Sequence, residues 1–133
     1  MMYQVVCGAL LAAALVLSVT DRRALLLSGL VGFSIFLPVP METAGQFYVF
    51  CGAVDVCIGL IAWRSGARAG KMVADICVLL VIAHVMGYAL DGNLPFSPYR
   101  VIVKMLEVSQ LVACAALSPI LAPILRNHDA TTT

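Results

Sequence analysis

Residues 99–118, with the sequence YRVIVKMLEVSQLVACAALS, carry polar side chains at helical intervals within a largely apolar run. Steps of three and four residues return to the same face of an α-helix, so these side chains form one polar stripe. Hydrocarbon tails exclude polar groups, and we therefore expect this helix to face protein or water inside a bundle. The polar stripe consists of Arg100, Lys104, Glu107, Gln110, Cys114 and Ser118.

The composition of the whole chain points to a lipid environment. Of its 133 residues, 62% are hydrophobic and only 11% are charged, and the mean hydropathy is +1.04. A water-soluble domain of this length could not cover its surface with so few charges, whereas a bilayer removes that need. The sequence therefore predicts an all-α integral membrane protein. A formal charge of +1 gives no basis for binding nucleic acid.

Apolar runs separated by short turns predict a bundle of five transmembrane helices in one domain, residues 1–126. Each crossing needs about 20 residues, because a helix rises about 1.5 Å per residue through roughly 30 Å of hydrocarbon. Pro119 and Pro123 are expected to kink or end the last span. Residues 127–133 form a polar C-terminal tail. The predicted spans cover about residues 2–19, 24–40, 43–63, 72–90 and 99–118.

The orientation follows from Lys and Arg, which concentrate in cytoplasmic loops. Five spans with the N-terminus outside place six of the eight positive residues in the cytoplasm. In the alternative of four spans, residues 24–40 are re-entrant and the loop at 64–71 moves outside, which removes this bias. The prediction is therefore five spans, a cytoplasmic C-terminus and a bacterial-type inner (plasma) membrane. The six residues are Arg22, Arg23, Arg64, Arg68, Lys71 and Arg126.

Glycines recur at a step of seven in the third span, at Gly45, Gly52 and Gly59. Seven residues nearly complete two helical turns, so the three glycines form a groove that another helix can approach closely. Asp55 lies on the same face, about 12 Å from Trp63 at the cytoplasmic boundary. Inserting a charged group at such depth costs about 2.5 to 3.5 kcal/mol. We therefore expect Asp55 to be neutral, to pair with another helix or to face water. The glycine groove beside it favours a helix interface, which could lie between subunits.

Three further ionisable residues lie at similar depth in the fourth and fifth spans. His84 and Glu107 are each about 10 to 12 Å from the outer boundary, and Lys104 lies between Glu107 and that boundary. Because the loop between the two spans is short, the sequence predicts a buried cluster of His84, Lys104 and Glu107. In one interpretation these residues hold the helices together, which is the commoner role; in the other they line an aqueous or proton path. Gln110 continues the same lining.

Sequence motifs give no support for catalysis or for a cofactor. The chain has no nucleophile with a base at a readable spacing, no glycine-rich phosphate loop and no cluster with metal-ligand spacing. A single intramembrane histidine is a weak indication of haem or metal binding. All five cysteines lie inside apolar runs without a CxxC pair, which is typical of buried thiols. We therefore expect no enzymatic activity and no cofactor.

Three functions fit these features. The first is a homo-oligomeric pore or channel that conducts ions or protons and is lined by the polar stripe. In size and in the absence of soluble domains the chain also resembles a phage-type holin, and this resemblance is one of composition and not of a motif. The second is a non-catalytic structural or assembly subunit of a larger membrane complex. The third is a small proton-coupled transporter. The expected partners are the lipid bilayer and further membrane subunits, either identical or different.

Overall fold

A computed structural model describes residues 2–37, 44–90 and 96–131, and within these ranges the chain is entirely α-helical, with no β-strand. The predicted all-α class is therefore confirmed. The C-terminal end of the predicted second span and the first residue of the third fall outside the described residues. The helices are α1 (Met2–Leu17), α2 (Arg22–Phe36), α3 (Ala44–Arg64), α4 (Gly70–Ala89), α5 (Phe96–Ala116) and α6 (Leu121–Thr131).

The first five helices pack as a ring in chain order, and α5 closes the ring between α4 and α1. The α3–α4 pair shares the most extensive contact, and α5 also touches α2 across the bundle. Leu80, Leu111, Val31 and Val73 fill the interior and are almost completely buried. Large apolar side chains also cover the outside of the bundle, as lipid contact requires.

Two helices, Gly45–Arg64 and Gly70–Ala89, are long and apolar enough to cross a membrane. A third candidate arises if Pro98–Ala116 and Leu121–Asn127, which are bent by 76° relative to each other, form one broken span. The chain is therefore an α-helical membrane protein. Helices α1 and α2 have 16 and 15 residues, less than the about 20 of a full crossing, so the number of spans stays a prediction.

The break between α5 and α6 coincides with Pro119, one of the two prolines expected to kink the last span. Proline has no N–H to donate and its ring collides with the preceding turn of a helix. The Ser118 hydroxyl restarts the helix by accepting the Leu121 N–H at 3.1 Å. Helix α6 then continues to Thr131 and includes the first residues of the predicted polar tail.

The glycine series of α3 faces α4. A Cβ atom at Gly59 would lie 3.1 Å from Cys77 Cβ, and one at Gly52 would lie 3.7 Å from His84 Cβ. At Gly45 the nearest group is the Tyr88 ring, at 3.3 Å. The absence of side chains at these positions lets the two helices approach closely within one chain, and this approach brings Asp55 of α3 towards α4.

We expect Gly59→Val to destabilise the bundle by about 1 to 3 kcal/mol, because the added methyl groups collide with Cys77 at a close helix contact. Unfolding by SDS titration in mixed micelles, followed by circular dichroism, measures this loss. Gly29→Val is the matched control, since Gly29 is exposed on α2 and a Cβ atom there has no neighbour within 4 Å. Equal stability of the two variants would contradict the close α3–α4 contact.

The turn before α2 and the loop between α3 and α4 meet at one end of the bundle. Gly66 has a φ of +67°, which L-amino acids with side chains rarely adopt. A Cβ atom at Gly66 would lie 2.9 Å from Nη1 of Arg23, so the Arg23 guanidinium covers this loop. We refer to this end as the basic end, and its cationic residues are Arg22, Arg23, Arg64, Arg68 and Lys71.

Candidate functional site

The centre of the candidate site is a contact between α3 and α4. Nε2 of His84 lies 3.1 Å from Oδ2 of Asp55, and both residues are buried, with 4% and 7% of their surfaces exposed. A carboxylate in this interior is tolerated because the imidazole of His84 gives it a polar partner. Asp55 is thus paired with a neighbouring helix of its own chain, one of the three situations that its depth predicts.

The other nitrogen of His84 binds a third helix. Nδ1 lies 2.6 Å from the Tyr99 hydroxyl of α5. A neutral imidazole has one N–H and one acceptor nitrogen, so a Tyr99 hydroxyl that donates to Nδ1 leaves Nε2–H to donate to Asp55. His84 therefore links three helices, α3, α4 and α5, in one hydrogen-bonded row: Tyr99, His84, Asp55.

Aromatic packing fixes the position of Tyr99. Its ring meets the Tyr48 ring edge to face, with 5.1 Å between the centroids, an arrangement that aromatic pairs prefer. Gly87 makes room for both rings, because a Cβ atom there would lie 2.9 Å from Tyr48 and 3.0 Å from Tyr99. Rigid packing of this kind holds the hydroxyl against His84.

Glu107 and Lys104 have different contacts from those predicted, because both meet α1. The Tyr3 hydroxyl donates a hydrogen bond to Oε2 of Glu107. Nζ of Lys104 lies 4.8 Å from the centroid of the same Tyr3 ring, within the range of a cation–π contact. The predicted cluster of His84, Lys104 and Glu107 is therefore divided: His84 contacts Asp55 and Tyr99, whereas Glu107 and Lys104 contact Tyr3.

A small cavity nevertheless joins the two groups. Its volume is about 60 Å³, and its wall includes Asp55, His84, Glu107 and Gln110, four of the five intramembrane residues singled out from the sequence. Such a volume accommodates roughly two water molecules, provided that polar partners are present. Two carboxyl groups and an amide supply these partners, because both nitrogens of the His84 ring already contact Asp55 and Tyr99. The remaining wall is mainly apolar and aromatic, with one hydroxyl from Ser34.

The polar stripe changes character along α5. Arg100 and Lys104 are exposed at its first turns, Glu107 is half-buried, and Gln110 is 1% exposed. Nε2 of Gln110 donates to Sγ of Cys77 on α4 at 3.1 Å. Cys114 and Ser118, which complete the stripe, are also buried. Most of the predicted stripe thus packs inside the chain itself.

An apolar layer lies between the cavity and the basic end. It includes Val31 and Ile58, which lie one turn beyond the wall residues Ser34 and Asp55, and Leu111, which follows Gln110. On α4 it includes Val73, about three turns before His84. The cavity residues belong to the opposite half of the bundle, near the C-terminal end of α2 and the N-terminal half of α3. Most side chains buried between the site and the basic end are therefore apolar, together with the buried hydroxyls of Ser18, Ser28 and Ser118.

Tyr3 and Tyr99 are parts of the site that the sequence does not predict. The position of Tyr99 could have been predicted from residue spacing, because it lies eight residues before Glu107 and eleven before Gln110, on the same helical face. The position of Tyr3 could not have been predicted in this way, since it is 104 residues from Glu107 in the chain. Neither tyrosine is costly to bury in the way that a charge is, so depth alone does not single them out.

No protein-family model matches the chain, and neither a curated protein nor a solved structure matches it. In the part of the chain that the structure describes, no group of three or more His, Cys, Asp or Glu side chains could hold a metal ion. The features that bear on function are the Asp55–His84 contact and the cavity beside it.

We expect His84→Leu to lower the free energy of unfolding by roughly 3 kcal/mol, because it leaves the Asp55 carboxylate buried without its partner. The double variant Asp55→Leu/His84→Leu should recover most of this loss, since no buried charge is left unpaired. SDS titration of the variants measures both effects. Asp75→Asn, at an exposed position of α4, is the control and should change stability by less than about 0.5 kcal/mol. Additive losses in the double variant would contradict the pairing.

Proposed function

We propose that this chain is a proton-conducting membrane protein and that each copy carries its own proton site between α3, α4 and α5. The observation that carries the proposal is the cavity, whose wall holds Asp55, His84 and Glu107 together. Carboxyl and imidazole groups exchange protons readily, and chains of such groups inside membrane proteins mark proton paths. The cavity has room for water between groups that do not touch directly.

The order of the groups suggests how a proton moves through the outer half of the bundle. Glu107 is hydrogen-bonded to Tyr3 near the beginning of α1, and the cavity separates it from the Asp55–His84 pair. A proton taken up by Glu107 crosses the cavity through water to the Asp55 carboxylate. Asp55 is the last of these groups before the apolar layer.

The apolar layer explains why such a protein need not leak. Hydrophobic constrictions gate membrane pores by excluding water. Ile58, Val73 and Leu111 lie between the proton site and the basic end, and we propose that conduction requires these residues to separate. The described conformation is then the closed state of the channel.

The proposed proton path runs through the interior of one copy and not along the boundary between copies. The pore predicted from the sequence is lined by the polar stripe of several chains, but Gln110, Cys114 and Ser118 are buried within their own bundle. An oligomer of this protein would then assemble through other surfaces, and each copy would conduct separately. A proton-coupled transporter would use the same three titratable groups.

A second candidate, a non-catalytic subunit of a larger membrane complex, is favoured by a different observation. Arg100 and Lys104 are exposed on the outside of α5, near the end of the bundle that the sequence places outside. Cations at such positions are suited to contact with polar groups of another membrane chain. The mass and composition of the complex purified in native nanodiscs distinguish this candidate, because it requires a stoichiometric foreign chain.

Proton flux into liposomes, driven by a potassium diffusion potential and followed with an internal pH-sensitive dye, tests the proposal. We expect the wild-type protein to conduct, and Asp55→Asn and Glu107→Gln each to reduce the flux at least about tenfold, because each amide removes a proton-exchanging group. Asp75→Asn is the matched control and should conduct like the wild type. A folded wild-type protein without flux, or variants with unchanged flux, would contradict the proposal.

We further propose five spans, with the N-terminus outside and the C-terminus in the cytoplasm of a bacterial-type inner membrane. Its support is the basic end, because short cytoplasmic loops carry most Lys and Arg. The α1–α2 turn and the α3–α4 loop meet there through Arg23 and Gly66. If α1 to α4 each cross the membrane in alternating directions, these two connections lie on the same side.

Labelling of single introduced cysteines in intact cells tests this topology. We expect a membrane-impermeant maleimide added outside to label Gln4→Cys and to leave Arg68→Cys unlabelled until the cells are opened. The wild-type chain, whose five cysteines lie within its helices, gives the background. Labelling of both positions from outside would instead support the four-span alternative.

A further inference from the structure

The basic end brings cations from two neighbouring turns to one surface of the bundle. Helix α2 begins with Arg22 and Arg23, and the Arg23 guanidinium lies over the α3–α4 loop at Gly66. Arg64 ends α3, and Arg68 and Lys71 flank the start of α4. All five of these cationic residues are exposed, so the surface presents several cations within the span of two adjacent turns.

Nearby acidic residues do not neutralise this surface. Oδ1 of Asp21 accepts the backbone N–H of Arg23 at 2.9 Å and caps α2, and Asp75 is exposed one turn into α4. Within residues 2–37, 44–90 and 96–127, neither carboxylate forms an ion pair with any of the five cations. The basic end therefore keeps a net positive charge that is available to an external anion.

The membrane boundary runs through the same surface. The candidate span Gly45–Arg64 ends at the α3–α4 loop, and the candidate span Gly70–Ala89 begins there. Trp63 precedes Arg64, and 63% of its surface is exposed. Tryptophan is enriched where the hydrocarbon meets the headgroups, because its ring is apolar and its N–H is a donor. Exposed cations beside an exposed tryptophan thus lie at the depth of lipid headgroups.

We propose that the basic end binds the phosphate headgroups of anionic phospholipids in its own leaflet. Charge complementarity selects the lipid: arginine donates to phosphate in pairs of parallel hydrogen bonds, and basic clusters next to a span attract anionic lipids. Arg64, Arg68 and Lys71 hold the headgroup, Arg23 closes the surface from the α2 side, and Trp63 packs against the first carbons of the acyl chain. This inference does not depend on the proposed proton site.

The protein offers a built-in reporter, because Trp63 is its single tryptophan and lies at the proposed site. Bromine atoms on a lipid acyl chain quench tryptophan fluorescence at short range. In bilayers that contain increasing fractions of brominated phosphatidylglycerol or brominated phosphatidylcholine, the two quenching curves give the relative association of the anionic lipid with this surface. One cation near an anionic headgroup corresponds to about a fivefold change in association. We therefore expect a preference for phosphatidylglycerol of about fivefold or more.

The triple variant Arg64→Gln/Arg68→Gln/Lys71→Gln should bring the preference close to one. Arg100→Gln/Lys104→Gln removes two cations from the opposite end of the bundle, is the matched control, and should keep the wild-type preference. Salt at about 1 M, which screens charges beyond roughly 3 Å, should reduce the wild-type preference without any substitution. Equal quenching of the wild type by the two lipids, or a preference that survives both the triple variant and high salt, would overturn the proposal.

Discussion

The bundle depends on one polar contact in an apolar interior, the pairing of Asp55 with His84 at 3.1 Å. In water such a contact would be worth little, because both groups are already solvated. Inside a membrane protein neither group has water to replace its partner, so separating α3 from α4 exposes an unpaired carboxylate to hydrocarbon. The contact therefore fixes the depth and rotation of the two helices relative to each other, which apolar packing alone leaves less well determined.

Other features of the structure make this contact possible. Gly52 and Gly59 bring the α3 backbone close to His84 and Cys77, and Tyr99 holds the far nitrogen of the imidazole from α5. The polar residues of α5 then face the same interior, so Glu107 and Gln110 share a cavity with the pair. A protein built only for stability would fill this space with aliphatic side chains. The proposed proton path explains why Asp55, His84 and Glu107, three titratable groups, surround this cavity.

Much of this arrangement follows from the sequence, because burying a charge is costly and helices repeat regularly. Those two facts identify Asp55, His84, Glu107 and Gln110 without any coordinates, and the glycine step of seven identifies the close face of α3. The partners do not follow in the same way. Whether His84 meets Asp55 or Glu107 depends on how α4 is rotated between α3 and α5, and residue spacing within one helix contains no information about this rotation. The contact of Tyr3 with Glu107 depends on the closure of the ring by α5, which is a property of the assembled bundle.

The nitrogen NMR spectrum of His84 in lipid bilayers directly tests its pairing with Asp55. The chain has two histidines, so His128→Gln leaves a single labelled imidazole. We expect one tautomer, with Nε2 carrying the proton towards Asp55 and Nδ1 accepting from Tyr99, and a clear change of both signals in Asp55→Asn. A tautomer mixture like that of free histidine, unaffected by Asp55→Asn, would show that His84 does not pair with Asp55 and would remove the basis of the proposed proton site.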